Sequence, residues 1–189
     1  GNVLLDFCWK DHIARFGFQG EKADRIAQAM MLGPIWPKLD LGLESDEDIL
    51  EQFVAHTPEL EQEIRLVFSD LSTIVRENEG SVDWIESLKA RGYHTYYLSN
   101  YGERIRREAS KELSFLSHMD GGIMSYTVHL AKPDPAIYQT LLDRYGLKAE
   151  ECVFLDDTVR NVEAAQALGV AGIVVTSQEQ AKKELETLL

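Results

Sequence analysis

Two adjacent carboxylates, Asp156 and Asp157, directly follow the apolar run of residues 152–155. The run predicts a strand buried on both faces of a parallel sheet. Both acids should therefore lie at the carboxyl end of a strand, where open α/β sheets bind their ligands. Adjacent like charges repel unless a cation or a shared proton intervenes, and Mg²⁺ accepts one or two carboxylates with water and phosphate oxygens. The residues alone leave a second interpretation open, a helix N-terminus whose acids favour the helix dipole.

Two further polar positions follow the same logic. Ser99 and Asn100 end the stretch 93–98, whose aromatic and β-branched residues predict a strand. Lys132 stands directly before Pro133, ahead of a stretch with helical spacing. Each position alone also fits a solvated turn or a surface lysine. The residues alone therefore leave a functional and a structural interpretation of each position open.

The elements that must position these residues alternate between helix and strand from Gly80 onward. Strands are predicted at residues 93–98, 122–126, 152–155 and 171–175. Strands separated by helices predict a parallel sheet with right-handed crossovers. Residues 10–78 show helical spacing without strand-like alternation, so we expect an all-helical insertion there. The predicted fold is an α/β, Rossmann-like parallel sheet of residues 1–9 and 79–189, with residues 10–78 inserted as a helical cap.

Composition and charge restrict the class of partner. The 189-residue chain carries a formal net charge of −13, which argues against nucleic acid or an anionic membrane surface. Its apolar runs are shorter than the about 18 residues of a spanning helix, and no secretory leader is recognisable. Cys8 and Cys152 both lie in apolar runs. We therefore expect reduced thiols and a cytoplasmic protein.

Taken in order, these motifs resemble the haloacid dehalogenase (HAD) superfamily, in its helical-cap branch. The stretch Gly1-Asn2-Val3 is similar to that family's first motif from the third position onward. Ser99-Asn100 resembles the second motif, Lys132 the third, and Asp156-Asp157 the fourth. The family's nucleophilic aspartate would lie two residues before Gly1, so we expect that residue and its strand upstream of the given sequence. The Gly-Asn-Val form is similar to bacterial sugar-phosphate phosphatases, whereas many other relatives have an acid/base aspartate in place of Gly1.

The resemblance implies a role for each motif residue. Asp157 would bind Mg²⁺ directly, Asp156 would assist, and the Gly1 carbonyl would be a further metal ligand. Ser99 and the Asn100 backbone would bind phosphate oxygens, and Lys132 would hold the nucleophile and the phosphate. Asn161, four residues beyond Asp157, would support the acid pair.

The inserted cap would cover the site and read the substrate. Its candidate contact residues are Trp9, just past the first motif, and Trp36 and Lys38 on a loop between cap helices. For either tryptophan taken alone, packing within the cap is the better explanation.

Three functions remain open at this point. The first is a Mg²⁺-dependent phosphatase acting on a small phosphorylated metabolite, such as a sugar phosphate, through an aspartyl-phosphate. The second is a binding or regulatory protein without catalysis. The third is a metal-free 2-haloacid dehalogenase. The acid pair counts against the third, because such dehalogenases place Ser and Asn at Asp156-Asp157.

Overall fold

The computed structural model describes residues 2–189, in which strands and helices alternate after a largely helical segment. The strands are β1 (Leu5–Phe7), β2 (Val75–Glu77), β3 (Tyr96–Ser99), β4 (Gly121–Met124), β5 (Val153–Asp156) and β6 (Ala171–Val174). The α-helices are α1 (Trp9–Arg15), α2 (Gly20–Ala29), α3 (Trp36–Leu41), α4 (Asp46–His56), α5 (Glu61–Phe68), α6 (Ser81–Ala90), α7 (Glu103–Glu108), α8 (Pro135–Tyr145), α9 (Val159–Gln166) and α10 (Gln178–Leu185). Short 3-10 helices cover Pro58–Leu60, Ser110–His118, Ser125–Thr127 and Ala149–Glu151.

Parallel strand pairing confirms the α/β class. Strand β3 pairs in parallel with β4, with Tyr96 opposite Gly121, and β5 pairs in parallel with β6, with Val153 opposite Ala171. The two pairs are not joined to each other by strand pairing among residues 2–189. The continuous sheet expected from the sequence is therefore present as two parallel ribbons.

The expectation that residues 10–78 are entirely helical is wrong at one place. Strand β2 pairs antiparallel with β1, and a bond from Cys8 N to Ile74 O (2.8 Å) extends the pairing. Val75 is buried and Arg76 is exposed, which is the alternation of a half-buried strand. Three residues are too few for that period to stand out in the sequence, and the preceding helix, α5, ends at Phe68.

The apolar core of the helical segment continues into α6, α7 and β4. Its fully buried side chains include those of Ile26, Ile49, Phe53 and Ile64. Trp36 lies between this core and β1, with its ring centroid 6.2 Å from that of Phe53 and 6.0 Å from that of Phe7. The N-terminus of α4 is capped, since Ser45 Oγ accepts a hydrogen bond from Asp48 N at 3.1 Å.

A fully buried histidine makes the stability of this segment sensitive to pH. His12 Nδ1 lies 2.9 Å from Thr73 Oγ1 and Nε2 lies 3.3 Å from Val67 O. Burial lowers the pKa of His12 below its ordinary value of 6.5. The unfolded chain therefore binds a proton at this histidine more readily than the folded chain does. The contribution of His12 to the free energy of unfolding should be fully present above pH 6.5 and should decrease as the pH drops below it.

We expect the free energy of unfolding to decrease between about pH 7.5 and about pH 5, with a smaller decrease in His12→Gln, which cannot titrate. Urea unfolding of both proteins at both pH values measures the difference. An identical decrease in the two proteins would show that other groups account for the pH dependence.

A large cavity separates β3 from β5. It has a volume of about 820 Å³ and is lined by residues 92–101 and 151–158, among others. The backbone carbonyl of Thr95 accepts a hydrogen bond from Asp120 N, beside β4. On the other side, the carbonyls of Cys152 and Asp156 accept hydrogen bonds from Ala171 N and Val175 N, at the start of β6 and just past its end. Because alternate residues of a strand direct their backbone groups to opposite edges, Tyr96, Leu98, Val153 and Leu155 direct theirs into the cavity. We call it the central cavity.

Helices close both faces of the central cavity. Trp84 and Leu88 of α6 line it beside Val153 and Leu155, and Tyr138 and Leu142 of α8 line it on the side of Phe154. A strand inside a parallel sheet has apolar side chains of helices on both of its faces and backbone groups of neighbouring strands at both of its edges. The central cavity thus has the environment of one additional extended strand.

Other expectations concern the whole chain. Cys8 and Cys152 are free, half-buried thiols, and burial raises the pKa of each. Between residues 2 and 189 no helix is both long enough and apolar enough to cross a membrane.

Candidate active site

The motif residues meet at the carboxyl ends of β3 and β5. Ser99, Asn100, Lys132, Asp156, Asp157 and Asn161 all line the central cavity. Gly1, the remaining predicted metal ligand, lies outside the described residues. The structure therefore brings together the described motif residues that the sequence singled out for the core.

Lys132 connects the two strand ends. Its side chain is buried, and Nζ donates hydrogen bonds to Leu98 O at 2.8 Å and to Asp156 Oδ2 at 2.6 Å. Since Leu98 belongs to β3 and Asp156 ends β5, one ammonium group joins both carboxyl termini. This geometry places a fixed positive charge at the end of the central cavity.

Asp156 has both of its oxygens occupied. Oδ2 accepts from Lys132, and Oδ1 accepts from Thr158 N at 2.9 Å and from Asn161 Nδ2 at 2.8 Å. Burial acts to raise the pKa of Asp156, but the charge of Lys132 and these hydrogen bonds outweigh it and leave the pKa below its ordinary value. Asp156 is therefore an ionised anchor for Lys132.

Asp157 is the more accessible member of the acid pair. It is half-buried, and its Oδ2 accepts a hydrogen bond from Asn2 Nδ2 at 2.7 Å. Asn2 Oδ1 in turn accepts from Phe7 N at 3.2 Å, which holds the amide in place. The remaining lone pairs of Asp157 are free of protein donors among residues 2–189, so this carboxylate can accept a cation.

Asn100 has a structural role that the sequence did not indicate. Its Nδ2 donates to Lys132 O at 2.9 Å, and its Oδ1 accepts from Lys132 N at 2.8 Å. The side chain thereby clamps the Lys132 backbone, whereas the resemblance implied only a role for the Asn100 backbone. Nearby, the Ser99 hydroxyl makes one long contact, 3.5 Å to Asn100 O, and is available for a ligand.

The three predicted cap contacts separate into two groups. Trp36 lines the central cavity, but Trp9 and Lys38 are not in its lining. Lys38 Nζ instead donates to Gln52 Oε1 at 2.7 Å on the exposed surface of the cap. Residues four positions apart lie on the same face of a helix, so Asp40 shares a face of α3 with Trp36. Lys38, two positions after Trp36, lies on another face. Asp40 lines the central cavity and was missed by the sequence analysis.

The donor set fits a magnesium ion. Within residues 2–189 no group of three or more His, Cys, Asp and Glu side chains is placed to hold a metal. A soft or closed site of the zinc type is therefore a poor fit for the described residues. One accessible carboxylate beside a phosphate-sized polar surface suits Mg²⁺, which keeps several waters and uses few protein ligands.

The buried ion pair of Lys132 and Asp156 should dominate local stability. We expect Lys132→Met to reduce the free energy of unfolding by about 3–5 kcal/mol, because it leaves Asp156 buried without a cation. The double variant Lys132→Met/Asp156→Asn should recover part of that loss. Urea unfolding of the three proteins measures the effect.

A surface lysine provides the matched control for that prediction. Lys148 pairs with Glu151 at 2.8 Å with about two thirds of each side chain exposed, so Lys148→Met should cost far less stability than Lys132→Met. Equal losses for Lys148→Met and Lys132→Met would contradict the role given to the buried pair.

Comparison with known proteins supplies the family. Residues 17–169 match the haloacid dehalogenase-like hydrolases. The chain belongs to this family. The match covers most of the chain, including the Ser99, Lys132 and Asp156-Asp157 motifs, so the resemblance drawn from those residues is confirmed.

Curated relatives of this HAD-like chain include two proteins that are much longer than the matched region. Mouse acyl-CoA dehydrogenase family member 10 is 32% identical over 162 residues, 83% of this chain but 15% of that protein. Pig bifunctional epoxide hydrolase 2 is 36% identical over 104 residues, 53% of this chain and 19% of that protein. The chain thus spans less than a quarter of the length of these relatives. A phosphorylated carbohydrates phosphatase of Thermotoga maritima is 30% identical over 142 residues, 74% of this chain and 63% of that enzyme.

Solved structures agree on the fold. A HAD family enzyme from Bacteroides thetaiotaomicron, in complex with magnesium and inorganic phosphate, superposes with a TM-score of 0.70 at 20% identity, covering 94% of this chain and 91% of that one. A HAD-like family hydrolase from Porphyromonas gingivalis gives a TM-score of 0.70 at 23% identity, covering 100% and 93% of the two chains.

Proposed function

We propose that this HAD-like hydrolase is a Mg²⁺-dependent phosphatase of small phosphorylated metabolites, working through an aspartyl-phosphate. The observation that carries the proposal is the convergence of Lys132, Ser99 and Asp157 at one end of the central cavity. A buried ammonium, a hydroxyl and an accessible carboxylate are the groups that a phosphate dianion and its metal require. The phosphatase of Thermotoga maritima and the magnesium- and phosphate-bound structural neighbour support the same class.

The nucleophile belongs on a strand in the central cavity. A strand running parallel to β3 and β5 would leave the cavity near Asn2, whose side chain contacts Asp157 at the carboxyl end of β5. An aspartate near the end of that strand would face Lys132 and Asp157. We therefore propose that the segment upstream of Gly1 supplies this strand and its nucleophilic carboxylate.

Each residue then has a task in phosphoryl transfer. Ser99 donates a hydrogen bond to a phosphate oxygen, and Lys132 balances the charge of the nucleophile and the phosphate. Asp156 fixes Lys132, Asn161 fixes Asp156, and Asp157, with the Gly1 carbonyl, holds the metal. Bound Mg²⁺ would neutralise charge that develops on the phosphoryl oxygens.

The cap defines the substrate end of the site. We propose residues 10–78 as the cap and residues 1–9 with 79–189 as the core. Trp36 supplies an apolar wall to the cavity, which with Asp40 suits a compact substrate with hydroxyl groups, such as a sugar phosphate. The two free thiols support a reducing compartment such as the cytoplasm.

Phosphate release from p-nitrophenyl phosphate tests the proposal. The protein should include the segment upstream of Gly1, and the assay should compare Mg²⁺ with excess chelator. We expect hydrolysis that requires Mg²⁺. Equal rates with chelator and release of halide from 2-chloropropionate would instead establish a metal-free dehalogenase, and phosphate binding without turnover would establish a regulatory protein.

A further inference from the structure

Asp40 is a carboxylate of the proposed cap that lines the central cavity. It lies in the last turn of α3 and lines the central cavity together with Trp36, Asn100, Lys132 and Asp157. The side chain is half-buried, and nothing in the sequence motifs assigns it a role.

Two hydrogen bonds tie Asp40 to the loop that carries Ser99 and Asn100. Ser125 Oγ donates to Asp40 O at 2.5 Å and accepts from Tyr101 N at 2.9 Å. Tyr101 directly follows Asn100, so the position of Asp40 is fixed relative to the phosphate-binding loop.

The end of α3 is held just as closely. Gly42 has φ +62°, and a Cβ at this position would lie 2.9 Å from Tyr126 Cβ. This close approach to Tyr126 leaves room for glycine alone at position 42. The end of α3 cannot move away from Tyr126 without breaking the contact.

The surroundings of Asp40 suit proton transfer near neutral pH. Burial raises the pKa of Asp40 to about 7, against the opposing positive charges of the amino terminus of the 189-residue chain and of Lys132. Asp6, Tyr101 and Asp157 are further ionisable groups in the cavity lining on the β1 and core sides. An acid whose pKa lies near the working pH can both give and take a proton within one cycle.

We propose that Asp40 is a catalytic residue, the general acid and base of this phosphatase. The proposal rests on the proposed function and answers a need within it. The family resemblance implies that many relatives have an acid/base aspartate at the position of Gly1. Glycine has no side chain that could transfer a proton. Asp40 supplies that carboxylate from the cap.

The two half-reactions balance with Asp40 in this role. In the first, the nucleophilic carboxylate forms a bond to phosphorus, the ester P–O bond breaks, and its electron pair stays on the leaving oxygen. That oxygen takes the proton of Asp40 and departs as an alcohol. In the second, water attacks phosphorus, the Asp40 carboxylate takes a proton from that water, and the acyl-phosphate P–O bond breaks to release phosphate and the free nucleophile.

A series of phosphate esters tests Asp40 in the protein that includes the upstream segment. p-Nitrophenolate leaves without a proton, whereas the alkoxide of glycerol 3-phosphate needs one. We expect Asp40→Asn to lower kcat/KM for glycerol 3-phosphate by about 10²–10³-fold and to leave kcat/KM for p-nitrophenyl phosphate within about threefold. Asp40→Glu should recover part of the loss. Because burial raises the pKa of Asp40, the parent should show a limb of the pH–rate profile above the ordinary range of an aspartate, and this limb should disappear in Asp40→Asn.

Controls separate a catalytic from a structural effect. Glu47→Gln changes an exposed cap carboxylate and should match the parent on both esters. Circular dichroism and inhibition by inorganic phosphate should be unchanged in Asp40→Asn. Equal losses on both esters, or no loss on either, would overturn the role of Asp40. A parent protein that hydrolyses neither ester would overturn the proposed function together with it.

Discussion

Asp157→Asn should abolish Mg²⁺-dependent phosphatase activity while leaving the fold intact. The carboxylate is half-buried, and its protein contact is the amide of Asn2. An asparagine keeps that size but binds a hard cation weakly, so kcat/KM should fall by at least about 10²-fold, equivalent to several kcal/mol of lost metal stabilisation. Steady-state hydrolysis of p-nitrophenyl phosphate at increasing Mg²⁺ measures the loss.

Two variants make that result specific. Glu163→Gln changes an exposed carboxylate on α9 and should have no effect. Asp156→Asn should destabilise the protein, because it removes the charge that holds Lys132 in a buried site. The separate roles given to the two acids would be contradicted if Asp157→Asn retained parental activity. They would also be contradicted if Asp156→Asn and Asp157→Asn had the same effects on activity and stability.

The second large effect concerns the central cavity. Residues 1–189 alone should show no phosphatase turnover, and adding the upstream segment should restore it. Loss of a nucleophile costs on the order of 10⁶-fold in kcat in enzymes that form covalent intermediates. The added strand should also raise the melting temperature, because it would pair the backbone edges of Tyr96, Leu98, Val153 and Leu155.

A nucleophile variant separates folding from chemistry in this comparison. Replacing the upstream aspartate by asparagine should keep the higher melting temperature and remove turnover. Circular dichroism of each sample establishes that the comparison is made on folded protein. Substantial turnover by residues 1–189 alone would show that the nucleophile lies elsewhere.

The sequence predicted the elements that carry the motifs well. Strand β6 was expected at residues 171–175 and is observed at Ala171–Val174, and β5 was expected one residue early. Apolar side chains of β5 pack on both faces of the strand, Phe154 on one and Val153 and Leu155 on the other, so its apolar run is continuous and conspicuous. Strand β2 was missed because it has three residues and pairs only with β1.

Prediction of the site was limited in a different way. Spacing along the chain could bring Ser99, Lys132 and Asp157 to the same sheet edge, but it could not show which oxygen each donor selects. The occupied oxygens of Asp156 and the clamp of Asn100 on Lys132 depend on tertiary contacts. Asp40 was missed because its proximity to the site depends on how the cap packs, through Ser125, on the core.

The most direct test is to find where the phosphoryl group is held during turnover. The protein with its upstream segment is mixed with Mg²⁺ and p-nitrophenyl phosphate, quenched in acid within one turnover, and mapped by peptide mass spectrometry. We expect one added phosphoryl group, on the aspartate two positions before Gly1, and none in Asp157→Asn. A phosphoryl group on a residue between positions 2 and 189, or rapid turnover without any phosphorylated protein, would contradict the proposed mechanism.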